Sequence, residues 1–165
     1  MTAILFETVD KRVGAGWGLC AQALVPINLK GRRFWHGVES GFYIQKDNIG
    51  IKTFYTESDA LHSFKMQKRA AKFKAAPEIK SRNVFPVIVK PWSRELCKGS
   101  EVKLILKWAY RTQVADTEDD GAFDIKSLER KLRKAKVNMG DLHPGNIGMI
   151  GKETVRLDFG RISTT

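Results

Sequence analysis

Three polar side chains that could bind a metal ion and orient a hydroxyl group lie near the end of the sequence. Asp141 and Asn146 stand before the apolar run Ile147–Ile150. Asp158 follows a second apolar run, Val155–Leu157, and a Gly-Lys turn separates the two runs. This pattern is typical of a β-hairpin. Because hairpin strands run in opposite directions, we expect the three side chains to gather at one end. Two carboxylates and an amide oxygen are hard ligands suited to Mg²⁺, and a carboxylate beside such an ion can orient a hydroxyl for attack.

Two motifs in this region carry a resemblance to a known family. Asp141–Asn146 has the sequence DLHPGN and Leu157–Gly160 has the sequence LDFG. Together they resemble the catalytic loop and the metal loop of the protein-kinase-like fold, and the DLHPGN spelling is most similar to aminoglycoside and choline phosphotransferases and related atypical kinases. The kinase signature likewise places Asp and Asn five residues apart and then D-F-G. The competing interpretation is a hairpin whose polar residues only build a tight turn.

The resemblance implies a role for each polar residue of these motifs. Asp141 would be the catalytic base that orients the acceptor hydroxyl. Asn146 and Asp158 would hold Mg²⁺, with ATP as the phosphate donor.

A second part of the resemblance lies in residues 34–54, which alternate apolar stretches with glycine or polar turns. The pattern predicts three strands in succession. It resembles the opening of a kinase N-lobe, in which a glycine-rich turn covers the phosphates and a lysine on the third strand reaches them. Gly37 and Gly41 would then be the loop glycines, and Lys52 would contact the α- and β-phosphates. The loop departs from the full glycine pattern of kinases, and an ordinary solvated strand lysine is the alternative for Lys52.

The next segment predicts an amphipathic helix from Thr56 to about Ala75. In the kinase comparison this helix should offer a glutamate to Lys52, and none stands in its middle turns. Glu57 is too close to the helix start, and Ser63 occupies a position where a glutamate would fit. Gln67 lies on the inner face, so we expect it to hydrogen-bond Lys52 without neutralising it.

Two further strands are predicted at Val84–Val89 and Val102–Trp108, which completes a five-stranded antiparallel sheet. Ala109–Ala115 would be the hinge that holds adenine by backbone groups. A second amphipathic helix, from Ile125 to about Val137, then leads to Asp141.

The predicted fold is therefore α+β and kinase-like. Residues 1–33 would be an N-terminal extension, and residues 34–115 an N-lobe with the five-stranded antiparallel sheet and one helix. Residues 116–165 would be a minimal C-lobe with one helix, the catalytic loop and the β-hairpin. The helices that usually support the catalytic loop and shape the substrate site do not follow Gly160, and Met139 stands where these families usually have a histidine. We therefore expect a protein partner or a second copy of the chain to cover the apolar surface left by the missing helices.

Composition and charge bound the remaining choices. The formal net charge of +11 favours acidic partners such as nucleotides or nucleic acid. The basic faces of the two helices are interpreted as solvated surface, with weak, non-specific nucleic-acid binding as the alternative. Cys20 and Cys97 are far apart and predict neither a disulfide framework nor a zinc site. The absence of a basic N-terminal region and the short apolar run Trp17–Ile27 argue against a signal peptide and a membrane span, so a cytoplasmic location is expected.

The sequence thus predicts a minimal kinase-like phosphotransferase that moves the γ-phosphate of ATP to a hydroxyl of a protein or small molecule. The alternative is a non-catalytic kinase-like nucleotide-binding, interaction or structural protein. A third possibility is a basic nucleic-acid-associated module, which net charge alone supports.

Overall fold

The structure, a computed structural model, describes residues 34–36, 40–45, 47–89, 105–118, 123–140 and 142–160. The predictions for the N-terminal extension 1–33, for Gly37 and for Asp141 lie outside these ranges.

Five antiparallel strands form the larger sheet in the order β1-β2-β3-β5-β4. The strands are β1 Phe34–His36, β2 Ser40–Ile44, β3 Ile49–Phe54, β4 Phe85–Val89 and β5 Ile105–Gln113. The predicted antiparallel sheet is therefore confirmed, but the predicted end of its last strand is wrong. Residues 109–113, assigned to the hinge, continue β5 because they pair with residues 49–53 of β3 along its length. Of the predicted hinge Ala109–Ala115, residues 114 and 115 lie outside the strand.

Helix α1, Glu57–Ala71, connects β3 to β4 and covers one face of the sheet. Thr56 caps it, since the side-chain oxygen of Thr56 accepts a hydrogen bond from the Asp59 N–H at 3.1 Å. The helix turns Phe64 toward the sheet, where its ring meets the Tyr110 ring edge-on at 5.6 Å, and the Phe54 ring stacks on Tyr110 at 5.9 Å. This aromatic group fixes the helix on β3 and β5.

The second part of the chain contains helix α2, Ile125–Lys134, and a hairpin of strands β6, Ile147–Ile150, and β7, Glu153–Arg156. A short 3-10 turn at Pro144–Asn146 leads into β6. The second hairpin strand begins two residues earlier and ends one residue earlier than the predicted run Val155–Leu157. Ile150 pairs directly with Glu153 across the Gly-Lys turn, so β7 begins immediately after it.

One apolar core joins α1 to this second part. It contains small residues from the end of α1 and the turn after it, together with larger side chains of α2, β6 and the stretch after β7. Its buried members are Ala70, Ala75, Ala76, Leu128, Leu132, Ala135, Val137, Ile147 and Phe159. The small alanine side chains allow the ends of α1 and α2 to approach closely. The helix that covers the sheet and the hairpin therefore pack on the same core.

Both helices end in the same hydrogen-bonded motif, with a lysine where glycine is usual. After α1 the Lys74 N–H donates to Ala71 O and the Ala75 N–H to Ala70 O. After α2 the Lys136 N–H donates to Arg133 O, and the next N–H reaches back to Leu132 O. These are Schellman motifs, in which the C′ residue adopts a left-handed backbone. Lys74 has φ 55° and Lys136 has φ 53°, a conformation that disfavours residues with a Cβ.

Replacing either lysine by glycine should therefore stabilise the fold. We expect Lys74→Gly and Lys136→Gly each to raise the free energy of unfolding by about 0.5–1 kcal/mol, because glycine adopts this backbone without strain. Urea unfolding at neutral pH measures the change. Lys72→Gly is the matched control: Lys72 has a right-handed backbone at φ −60°, so glycine should destabilise there. A loss of stability in the first two variants would show that the left-handed lysines carry no strain.

Candidate functional site

The side chain of Lys52 connects the large sheet to the hairpin. Its Nζ lies 3.2 Å from Asp158 Oδ1 and donates to Leu157 O at 2.9 Å, across 105 residues of sequence. Lys52 is 6% exposed, whereas the side chain of Asp158 is 46% exposed. Lys52 is therefore not the solvated strand lysine of the alternative interpretation. It is a buried cation with a half-exposed carboxylate beside it.

The two charges set each other's protonation. Burial lowers the pKa of Lys52, and the nearby Asp158 carboxylate opposes that effect. Burial acts to raise the pKa of Asp158, but the Lys52 charge and a hydrogen bond from the Gly160 N–H outweigh it and hold the pKa below its ordinary value. Asp158 is therefore a carboxylate at neutral pH, with an exposed side available to a ligand.

Lys52 and Asp158 lie in a cavity of about 510 Å³ between the sheet and the hairpin. Its lining comes from β2, β3, β5, the segment after β5 and the two motif loops: Ser40, Phe42, Lys52, Gln67, Pro77, Thr112, Gln113, Val114, Ala115, Thr117, Pro144, Gly145, Asn146, Leu157 and Asp158. A cavity of this size accommodates a small-molecule ligand or cofactor. The charged groups lie where the hairpin approaches β3, and less polar residues of the segment after β5 line another part of the wall.

The hairpin brings Asn146 and Asp158 to the same end. The Leu157 N–H donates to Asn146 O at 2.8 Å, so the residue before β6 is bonded to the residue that precedes Asp158. Lys52, Asn146 and Asp158 all line the cavity. Gly41 does not: it pairs with Thr53 in the sheet, and a Cβ on it would lie 2.9 Å from Thr53 Oγ1.

Comparison of the chain with protein-family models, with curated proteins and with solved structures finds no match.

The donor atoms in the cavity suit a hard divalent cation. The hydrogen bonds that Asp158 accepts from described residues use Oδ1, and its side chain is 46% exposed. Asn146 adds an amide side chain at the same end of the hairpin. Mg²⁺ keeps several waters and needs only one or two protein ligands, so this pair fits it. Within the described part of the chain, no three His, Cys, Asp or Glu residues form a metal-binding group.

A buried polar network forms part of the cavity wall, and the sequence prediction for Gln67 is wrong. Gln67 Nε2 donates to Thr112 Oγ1 at 2.7 Å and to Pro77 O at 3.0 Å, and its Oε1 accepts from the Tyr110 hydroxyl at 2.9 Å. The Ser63 hydroxyl lies 2.8 Å from the Tyr110 hydroxyl oxygen. Gln67 therefore holds α1 against β5 and does not bond Lys52. Polar residues at helical spacing on an apolar helix face were the signal for this network.

Arg156 is a functional candidate that the sequence did not reveal. It is buried on β7, its Nη1 donates to Asn138 O, and its guanidinium lies 5.0 Å from the centre of the Phe159 ring. Gly140 has φ 57°, and a Cβ on it would collide with that guanidinium. Arg156 thus fixes the backbone that enters the DLHPGN motif relative to the strand that leads into Asp158.

The segment after β5 is tied to the hairpin. The Asp116 N–H donates to Met149 O at 2.9 Å, and the Met149 N–H donates to Asp116 O at 2.7 Å. Gly148 makes this approach possible, because a Cβ there would lie 2.9 Å from Asp116 O and 3.0 Å from the Ala115 Cβ. The cavity wall formed by the segment after β5 is thus attached to β6 by a pair of backbone hydrogen bonds, called the bonded strip below.

The pairing of Lys52 with Asp158 predicts unequal effects of removing each partner. Asp158→Asn should lower the free energy of unfolding by about 1–3 kcal/mol, because the buried ammonium loses its charged partner. Lys52→Met should cost less, because it removes the buried charge as well as the need for a partner. Urea unfolding at pH 7 compares them. A larger loss of unfolding free energy for Lys52→Met than for Asp158→Asn would contradict this, because it would show that the buried ammonium does not need a charged partner.

The same pair predicts a pH dependence. The depressed pKa of Asp158 gives stability that is present above the ordinary carboxyl pKa of about 3.9 and is lost as pH falls through the lower folded value. The stability difference between wild type and Asp158→Asn should stay constant from pH 7 to about 5 and shrink in acid. Urea unfolding of both proteins across this range measures it, and a difference that grows in acid would contradict the assignment.

Proposed function

We propose that this chain is a minimal kinase-like phosphotransferase that binds ATP with Mg²⁺ and transfers the γ-phosphate to a hydroxyl acceptor. The supporting observation is the cavity in which Lys52 lies together with Asn146 and Asp158, although 106 residues of sequence separate Lys52 from Asp158. These are the residues to which the resemblance assigns the phosphate and metal roles. The proposal also includes a cytoplasmic location, where ATP is abundant. No helix in the described ranges is long and apolar enough to cross a membrane.

Lys52 would supply positive charge to the nucleotide phosphates. Its ammonium is buried at the cavity wall, and a charge in such surroundings interacts more strongly than a solvated one. Asn146 and Asp158 would hold the metal ion. When bound, Mg²⁺ neutralises charge on the phosphates and orients them.

The backbone after β5 would hold the base of the nucleotide. The N–H groups of Gln113, Val114 and Asp116 already donate to carbonyls of other elements. Ala115 lines the cavity, and among the N–H groups of residues 113–116 its N–H would be the one to bond the base. A purine edge with one acceptor matches this arrangement.

Asp141 would orient the acceptor hydroxyl and accept its proton, as the resemblance implies. The position of Asp141 in sequence follows the segment that Arg156 holds, so Arg156 would keep that segment in register with Asp158. Catalysis of this type depends on positioning and charge neutralisation and not on covalent chemistry by the protein.

The proposal predicts Mg²⁺-dependent ATP binding. Lys52→Met should weaken ATP binding about tenfold or more, because a charge-assisted hydrogen bond is worth about 1.5–3 kcal/mol. Asp158→Asn should remove the part of the affinity that depends on Mg²⁺. Isothermal titration calorimetry with and without Mg²⁺ measures both effects.

Lys107→Met is the matched control for this experiment. Lys107 is also a buried strand lysine whose pKa burial lowers, but it does not line the cavity. Its replacement should leave ATP affinity unchanged. A folded wild-type protein that binds no ATP at millimolar concentration would exclude the nucleotide proposal.

A further prediction concerns rate. We expect turnover by the isolated chain to be slow, or to require a partner, because Lys52 has Asp158 as its carboxylate partner and Gln67 is engaged elsewhere. Phosphotransfer and ATPase assays with γ-labelled ATP, comparing wild type with Asp141→Asn, measure this. Turnover in the range of 1–100 s⁻¹ usual for kinases would contradict it.

The second candidate function is nucleotide binding without catalysis, and the Lys52–Asp158 ion pair favours it. In that pair, the phosphate lysine and a metal ligand neutralise each other without any nucleotide. ATP binding with no turnover, alone or with cell lysate, would support this candidate over the phosphotransferase.

A further inference from the structure

We propose that the adjoining C-terminal ends of α1 and α2 form a binding surface for single-stranded nucleic acid. This surface, called the helix-end surface below, consists of exposed cations around one exposed aromatic ring: Lys68, Arg69, Lys72, Phe73, Lys74, Arg133, Lys134 and Lys136. It does not depend on the proposed phosphotransferase function, because none of these residues lines the cavity.

The fold makes this surface continuous. The two helix ends pack on each other through the alanine-rich core, and Arg69 Nη1 donates to Lys136 O at 3.4 Å. No acidic residue occurs in the sequence between Ala60 and Pro77 or between Arg130 and Gly140. The basic ends of the two helices therefore adjoin at the Arg69–Lys136 contact, with no acidic residue in either segment.

One carboxylate lies at the edge of the patch. Glu153 forms an ion pair with Lys131, and the hydrogen bond and charge of Lys131, together with the charge of Lys74, lower its pKa. Because Glu153 is paired with Lys131, the seven cations of the helix-end surface keep an excess of positive charge. Polyanions are the partners that such an excess attracts.

Phe73 argues for single strands over other polyanions. It is 40% exposed and stands between Lys72 and Lys74 at the tip of α1. An exposed aromatic ring among lysines provides what single-stranded nucleic acid binds, namely a stacking platform for a base and cations for the flanking phosphates. A paired base in a duplex cannot stack on such a ring without leaving its helix.

The strained lysines give a second, independent argument. Among the described residues other than glycine, those with positive φ are Asp47, Asn48, Lys74 and Lys136. Asp and Asn tolerate that conformation, whereas lysine does so at a cost. Both lysines lie on the helix-end surface, at positions where glycine is the usual residue. Backbone strain of this kind is found mostly at functional sites. Here the strained positions carry lysine instead of glycine, which places one cation next to Phe73 and another next to Arg69.

The experiment measures binding by fluorescence anisotropy with a fluorescein-labelled oligouridylate of about 16 nucleotides, at several salt concentrations. The double variant Lys74→Gly/Lys136→Gly should bind more weakly and reduce the slope of log affinity against log salt by about 1.4, the loss of two phosphate contacts. Its thermal stability should not fall, since glycine relieves the strain. Phe73→Ala should weaken binding about fivefold or more and leave the salt slope unchanged.

The matched control is Lys80→Gln/Lys126→Gln, which removes the same charge from exposed lysines outside the helix-end surface. An equal loss of affinity in this control would mean that net charge alone binds the oligonucleotide, which would overturn the proposal. Unchanged affinity in Phe73→Ala, or equal affinity for a duplex of the same length, would exclude the single-strand assignment. Binding to phosphatidylserine vesicles with no binding to the oligonucleotide would identify a membrane surface as the partner instead.

Discussion

The contact between the sheet and the hairpin depends on the need to compensate the buried ammonium group of Lys52. Lys52 lies on β3, the central strand of the sheet, and its side chain is buried, so an unpaired charge there would be costly. Compensation comes from Leu157 O and Asp158 Oδ1, both immediately after β7. Satisfying Lys52 therefore requires the hairpin to lie against the sheet, and the cavity is the space that remains beside this contact. The apolar core also stabilises this contact, because it packs residues of β6 and Phe159 against the ends of α1 and α2.

The sequence was sufficient to predict the parts of the structure that depend on local pattern. Two short apolar runs on either side of Gly151 and Lys152 predicted the hairpin, and helical spacing predicted both helices. The two motif loops were placed at one end of the hairpin because antiparallel pairing leaves no other arrangement, and the structure brings Asn146 and Asp158 together there. The proposed roles of these residues come from the resemblance and stay predictions.

The features that the sequence did not predict arise from contacts between distant residues. The end of β5 depended on pairing with β3, which no local signal near Ala109 encodes. Gln67 lies on the predicted inner face, but its partner is determined by Tyr110 and Thr112 on a strand more than forty residues away. The role of Arg156 likewise depends on a carbonyl of the preceding loop and on the ring of Phe159, and an arginine on a short strand gives no sign of either.

The bonded strip between Asp116 and Met149 has a mechanical consequence. In a molecule of two parts joined by a free linker, a ligand can be enclosed when one part rotates toward the other. Here the segment after β5 is hydrogen-bonded to β6 through Asp116 and Met149. Gly148 allows the two backbones to lie in close contact, so the segment cannot move freely. Together with the Lys52 contact, this gives the sheet and the hairpin two separate points of attachment, so rotation about either one is resisted by the other. The cavity between the sheet and the hairpin is therefore bounded by two attachments, which restrict how far its walls can move toward each other.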